Sequence, residues 1–234
     1  MQEINPIPII AIDGTTASGK GTIASKLAEV LKLNYLNSGA LYRLSAHLAI
    51  VNGIDINDHT EDNLNKIVDL ILIESKTIEF IGKQVIHNGQ DIWPLLSSED
   101  AGKNASTISF YVPLRYAIRD FQRSRIISPG LVAEGRDMTT AVFVDAQVKI
   151  YLDASIESRA KRRLSDEQKR GSGKTYELLC EELQKRDDID KGHAVGGLKL
   201  APDALYIDTS TMTIEEVLAT CVQYTKEKGV IGAN

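Results

Sequence analysis

Ile9-Ile10-Ala11-Ile12-Asp13-Gly14-Thr15-Thr16-Ala17-Ser18-Gly19-Lys20-Gly21-Thr22 runs from an apolar segment into a glycine-bounded loop with a lysine. A helical pattern, with Ile23, Leu27 and Val30–Leu31 on one face, begins at once. Gly14, Gly19 and Lys20 stand at the G-x-x-x-x-G-K spacing of a phosphate-binding loop. Glycines let the backbone fold into a nest whose N–H groups point at phosphate oxygens, and the helix that follows adds its positive N-terminal end. Thr15, Thr16, Ala17 and Ser18 fill that nest, and Lys20 supplies a mobile point charge for the terminal phosphates. Gly21 stands where many such loops carry a hydroxyl, which arrives one residue later as Thr22. The alternative is an ordinary glycine-rich strand–helix turn; the apolar strand before the spacing and the helical pattern after it favour the phosphate loop. The stretch predicts a bound nucleoside triphosphate.

Outward from the loop, periodicity alternates strands with helices, the pattern of a parallel sheet covered on both faces. Strands are expected at 7–12, 34–36, 131–133, 148–152 and 205–208. Helices are expected at 20–33, 40–51, 58–72, 97–108, 112–127, through Arg159–Arg163, at 175–190 and at 213–226. Residues 77–81 and 84–87 alternate in the strand sense around Gly82-Lys83, and Asn88-Gly89 marks another turn. This antiparallel meander predicts an insert at about residues 70–95. Gly171-Ser172-Gly173-Lys174 is the most linker-like point. Ligands of such sheets lie beyond the carboxyl ends of the strands, where Gly14, Glu134–Asp137, Asp153 and Asp208 would gather.

The totals narrow the class. The chain has 234 residues, 43% apolar and 25% charged, enough for a sizeable core. A net charge of -5 argues against a sequence-independent nucleic-acid binder. Cys180 and Cys221, far apart and without neighbouring histidines, read as free thiols, so neither a zinc site nor a disulfide is expected. Met1–Pro6 carries no basic, apolar leader, and no stretch reaches membrane-spanning length. A cytoplasmic protein without membrane or nucleic-acid partners is expected.

Phosphoryl transfer needs aligned substrates, excluded water and positive charge around the moving group. Arg43, Arg136, Arg159, Arg163 and Arg186 lie on several elements and suit that need, although most arginines are solvated surface charges. Arg136 stands out because it directly follows a buried strand. Arg115, Arg119 and Arg123 lie four apart and share a helix face.

The G-K-G-T variant of the loop is followed by Asn37-Ser38-Gly39-Ala40-Leu41-Tyr42-Arg43, Glu134-Gly135-Arg136-Asp137-Met138 and Leu152-Asp153-Ala154-Ser155 with Arg159, Arg162 and Arg163. Arg186-Asp187-Asp188-x-Asp190 and Ala201-Pro202-Asp203-Ala204 with Asp208-Thr209-Ser210 complete the series. In this order the motifs resemble bacterial cytidylate kinases over nearly the whole chain. The resemblance implies a P-loop NTPase three-layer α/β fold with about five parallel strands, an inserted acceptor-binding subdomain with a small antiparallel sheet, and a mobile helical lid. The expected division is core 1–42, acceptor insert 43–103, core 104–158, lid 159–192 and core 193–234.

It further implies transfer of the terminal phosphate of ATP to CMP or dCMP by a monomer, with Mg2+ held mainly through phosphates and water rather than by protein ligands. Gly14 to Thr22 and Arg163 match the ATP side. Ser38, Arg43 and Arg136 match positions that hold the acceptor phosphate, Ser106, Arg115 and Asp137 those that read cytosine, and Arg186 and Asp190 those near the sugar. Lys20, Arg43, Arg136, Arg159 and Arg186 match the catalytic charges. A carboxylate suits the cytosine amino group, and an arginine and a hydroxyl suit its ring acceptors. Departures from the family pattern are His193 and Ile189 in place of arginines, Glu134 in place of an aspartate, and Gly196-Gly197. Two alternatives stay open: a P-loop kinase of another small acceptor such as UMP or dephospho-coenzyme A, and a nucleotide-dependent binding module. The second lacks the guanine-reading N-K-x-D segment it would need.

Overall fold

The computed structural model describes residues 7–169, 171, 173–192 and 195–230; the leading residues through Pro6, Ser172 of the linker and His193 lie outside it. Strand β1 (Ile9–Gly14) passes through the glycine loop into α1 (Lys20–Leu31), followed by β2 (Asn34–Asn37) and α2 (Ser38–Val51). Next come α3 (Glu61–Glu74), the strands β3 (Ile78–Ile81), β4 (Gln84–His87) and β5 (Gln90–Asp91), and the short α4 (Trp93–Leu96). Helices α5 (Glu99–Ile108) and α6 (Val112–Arg123) lead back to the main sheet in β6 (Leu131–Glu134). A π-helical turn at Met138–Val142 precedes β7 (Val148–Asp153). The charged helices α7 (Ile156–Lys169) and α8 (Tyr176–Gly192), then β8 (Leu205–Asp208) and α9 (Ile214–Glu227), complete the chain.

The main sheet has five parallel strands in the order β2-β6-β1-β7-β8. The chain fills one flank of β1 with β2 and β6, then the other with β7 and β8. Both faces of β1 are covered, which is why its sequence reads as an unbroken apolar run rather than an alternation. Ile9 and Ala11 pack into the core beneath α2, α3 and α6, and Ile10 and Ile12 pack into the core beneath α1 and α9. Every one of these four side chains is buried. A third, much smaller cluster of Ala160, Leu179 and Leu183 joins α7 to α8.

Strand register aligns the chemistry. Asn37 and Ile12 both stand opposite Glu134, Gly14 opposite Leu152, and Asp153 opposite Asp208, so the strand ends form one rim.

The antiparallel meander forms as a sheet in the order β3-β4-β5, turned at Gly82 (φ 54°) and at Asn88-Gly89 (φ 49° and 77°). Strand β5 is too short for any periodicity to reveal. Three helix boundaries differ from their patterns for local reasons. Helix α2 starts at Ser38, before the expected 40, because the Asn37 side chain accepts the Ala40 N–H at 3.1 Å. The expected helix at 97–108 starts at Glu99, as α5, after the separate short helix α4, because the Ser98 hydroxyl caps it by accepting from Ala101 N–H at 3.1 Å. Helix α6 closes at Arg123 rather than 127, where the Ser124 hydroxyl donates back to the Phe121 carbonyl at 2.7 Å.

Candidate active site

The phosphate loop is shaped by what surrounds it. A Cβ on Gly14 would stand 2.0 Å from the Leu152 carbonyl oxygen, so only glycine allows β7 to pass this close. Gly19, at φ 92°, makes the left-handed turn that opens α1. The loop's carbonyls are gripped from outside. Arg159 donates to the Thr16 carbonyl at 3.1 Å, and Arg162 to that of Ser18 at 3.4 Å and to the Thr209 carbonyl. The Thr15 hydroxyl donates to Asp153 at 2.8 Å. Lys20 Nζ, buried, donates to the Thr15 carbonyl at 3.2 Å. Burial, reinforced by the charge of Arg136, pushes the Lys20 ammonium down to about 7.

Beside the loop opens a cavity of about 810 Å³. Thr16, Ala17 and Lys20 line it from the phosphate loop, and α2 adds its first residues, Ser38 and Gly39. Two helix N-termini, those of α1 and α2, therefore border one space, each a favourable end for anionic oxygen. The Ser38 hydroxyl is fixed from behind by the buried Gln122, whose Nε2 donates to it at 2.7 Å.

The cavity's charges are tied through Asp190, which is 3% exposed. Its carboxylate accepts from Arg136 Nε at 2.6 Å and from Arg186 Nε at 2.9 Å. Arg136 also donates to the Thr16 hydroxyl at 2.8 Å, joining the loop after β6 to the phosphate loop. Burial works against the Asp190 charge, but Arg136 and Arg186 outweigh it and hold this carboxyl below its usual value. Burial likewise disfavours the Arg136 charge, yet Asp190 and Glu134 outweigh it and hold the guanidinium above its usual value. Arg43 donates to the Ser98 carbonyl at 2.7 Å and packs so closely on α5 that a Cβ on Gly102 would stand 2.9 Å from it.

Deeper in the cavity Arg115 and Asp137 form a buried pair, with Nη2 to Oδ2 at 2.8 Å. Arg115 also donates to the carbonyls of Ser109 and Gly196, both at 2.8 Å, and lies over the Tyr42 ring at 5.7 Å from its centroid. Gly196, at φ 66°, is required there, since its Cβ would stand 2.1 Å from Arg115 and 2.3 Å from Asp137.

Eight residues singled out for the acceptor, Ser38, Arg43, Ser106, Arg115, Arg136, Asp137, Arg186 and Asp190, all line this one cavity. Arg163 lines it as well, 4.0 Å from Glu99. Arg159 does not: it is 3% exposed and donates two hydrogen bonds to the Asp187 carboxylate, at 3.1 and 2.7 Å, beneath the loop it grips. Arg119 and Arg123 also point elsewhere, Arg119 over the Tyr116 ring and Arg123 to Asp145. Sequence spacing missed Gln122, Tyr42 and Gly102, whose roles lie in packing behind or against another side chain. Asn37 alone carried a legible signal, as a helix cap.

Among the described residues no three His, Cys, Asp or Glu side chains converge as a metal cage. The rim does hold the buried Glu134 carboxylate, 3.5 Å from where a Cβ on Gly21 would stand, and the Thr22 hydroxyl follows directly in the chain. Burial and the Glu134 charge push the Tyr35 hydroxyl up, so it remains a neutral donor to that carboxylate. One carboxylate and a hydroxyl next to a phosphate nest suit a hard cation that keeps several waters.

Relatives of known name extend over this whole arrangement. The cytidylate kinase profile matches residues 10–227. The cytidylate kinase of Aliivibrio salmonicida is 40% identical across 94% of this chain and 97% of its own length. That of Stutzerimonas stutzeri is 39% identical across 98% of this chain and all of its own length. With phosphate loop, five-stranded sheet, antiparallel insert and helical pair all in place, the chain belongs to the cytidylate kinase family of P-loop kinases.

Proposed function

We propose that this chain transfers the terminal phosphate of ATP to CMP and dCMP, giving CDP and dCDP, by direct in-line displacement. One observation carries the reading: the residues assigned to the acceptor, drawn from α2, α5, α6, the loop after β6 and α8, meet in one cavity whose other wall is the phosphate loop. In-line transfer needs that adjacency, because neither substrate requires covalent help from the protein.

In this reading the loop amides and Lys20 hold the ATP phosphates. The α2 N-terminus, Ser38, Arg43 and Arg136 hold the acceptor phosphate, whose oxygen is already ionised, so no general base is assigned. Asp137 accepts from the cytosine amino group, while Arg115 and Ser106 donate to the ring acceptors. Arg186 and Asp190 lie at the sugar. Mg2+ supplies charge neutralisation across the phosphates when bound; Glu134 and Thr22 would hold it on the protein side. Helices α7 and α8 act as the mobile lid over residues 159–192, with Arg163 facing the transferring group and Arg159 bracing the loop beneath. Residues 43–103 form the acceptor insert, and 1–42, 104–158 and 193–234 the core. Because one chain supplies every assigned side chain, a monomer suffices. The free thiols Cys180 and Cys221 suit a reducing cytoplasm.

An acceptor screen with ATP and Mg2+ against CMP, dCMP, UMP, AMP, GMP and dephospho-coenzyme A tests the reading. CMP and dCMP are expected to lead in kcat/KM. A preference for any other acceptor, or ATP binding without turnover of any, would refute it.

A further inference from the structure

The penultimate residue of β1, Asp13, carries a carboxylate that no step of the proposed reaction uses. Asp13 is fully buried, and among the described residues it forms no ion pair, its charge acting on Lys20 and Arg136 only at longer range. Its Oδ1 accepts the Met138 N–H at 2.8 Å; its Oδ2 accepts the Thr139 N–H at 2.7 Å and the Thr139 hydroxyl at 2.6 Å. One residue earlier in β1, the Ile12 carbonyl accepts the Gly135 N–H at 2.9 Å. Arg136 and Asp137 thus lie between two anchors set by consecutive residues of β1, and the next residue, Gly14, begins the phosphate loop.

We infer that Asp13 is a positioning residue: by holding the main chain directly after Asp137, it registers Arg136 and Asp137 against the phosphate loop. This rests on the reading above, in which those two residues contact the acceptor. The backbone here needs such an anchor. Asp137 adopts φ -138° and ψ 22°, outside regular structure, and although the π-helical turn from Met138 ties the Asp137 and Met138 carbonyls to Ala141, Val142 and Phe143, its first amides, those of Met138 and Thr139, have no partner within the turn and are taken by Asp13. Burying a carboxylate without an ion partner is costly, and burial pushes the Asp13 carboxyl up to about 6. A buried apolar residue would pack here at lower cost. What it could not supply is two acceptor oxygens aimed at successive amides, and a displacement of about 1 Å at a transfer site can cost about 100-fold in rate.

Two isosteric variants test the inference. Asp13→Asn replaces one acceptor by a donor facing the Thr139 amide. Thr139→Val removes only the hydroxyl donor. Expected are a rise in KM for CMP of about tenfold or more in the first and about threefold in the second, with KM for ATP within twofold of wild type. A merely structural role would lower the melting temperature without this split. An unchanged KM for CMP in a folded variant, or a parallel rise in KM for ATP, overturns the inference; if Asp13→Asn does not fold, Thr139→Val decides by the same criterion. Wild-type protein that fails to phosphorylate CMP would refute the functional reading alone. The positioning role would then be decided by hydrogen exchange at Met138 and Thr139: exchange at least tenfold faster in the variants, relative to the β1–β6 ladder amides, upholds it, and equal rates overturn it.

Discussion

The two walls of the cavity are built on opposite principles. The wall proposed to hold the donor is one stretch of consecutive residues, Gly14 to Thr22, of which Thr16, Ala17 and Lys20 line the cavity. The wall proposed to hold the acceptor is assembled from side chains spread over residues 38 to 190, several aimed by a neighbour: Ser38 by Gln122, Arg136 by Asp190, Arg115 by Asp137 and Gly196. A backbone nest presents the same amides whatever the acceptor is, so the donor wall should set rate without setting choice. A side-chain lattice can be re-aimed one contact at a time, so the acceptor wall should set choice.

The largest expected effects test the shared part of that contrast. In the proposed reading Lys20→Ala removes a charge from the ATP phosphates and Arg136→Ala one from the acceptor phosphate, and turnover should fall by about 10³-fold in each with the fold intact by circular dichroism. For Lys20→Ala the loss should be equal for CMP and UMP; a changed ratio between them would break the division between the walls. Asp137→Asn comes next. It should lower kcat/KM for CMP by about 10- to 100-fold and that for UMP far less, since uracil offers a carbonyl where cytosine offers an amino group. Parallel losses in initial-rate assays would remove base reading from Asp137.

A proton-linked effect sharpens the donor side. With its ammonium pushed down to about 7 by burial, Lys20 in the free protein is mostly neutral at pH 8, and bound triphosphate favours its charged form. ATP binding should therefore take up protons at pH 8, measured by calorimetry in buffers of different ionisation heat, and uptake should shrink as pH falls below 7. Lys20→Met should abolish it; uptake that survives belongs to another group. The smallest expected effect is at Gly102. A Cβ there meets only the flexible end of Arg43, so Gly102→Ala should raise KM for CMP about threefold while leaving the melting temperature nearly unchanged.

The same contrast decides what the sequence made legible. The phosphate loop, the five strands and the meander could be read because each is specified by local order: a glycine spacing, an apolar run, an alternation broken by turn residues. Acceptor residues such as Ser106 and Arg115 were reachable only through the ordered motifs around them, because nothing local distinguishes a cavity-facing arginine from a solvated one. Arg159 shows the limit. Its motif marks it as a charge near the phosphates, yet in the fold it pairs with Asp187 and grips the loop's outer carbonyl. Gln122, Tyr42 and Asp13 stayed hidden for the same physical reason: their partners lie 84, 73 and 125 residues away and are fixed only by packing.

The most direct test of the account is a competition. With equimolar CMP and UMP and limiting ATP, the products are separated and the ratio of CDP to UDP is measured. An acceptor wall that reads cytosine through Arg115 and Asp137 predicts CDP in excess by about tenfold or more, and a ratio near one in Asp137→Asn. Equal yields of CDP and UDP from the wild-type protein, or an excess of UDP, would contradict it.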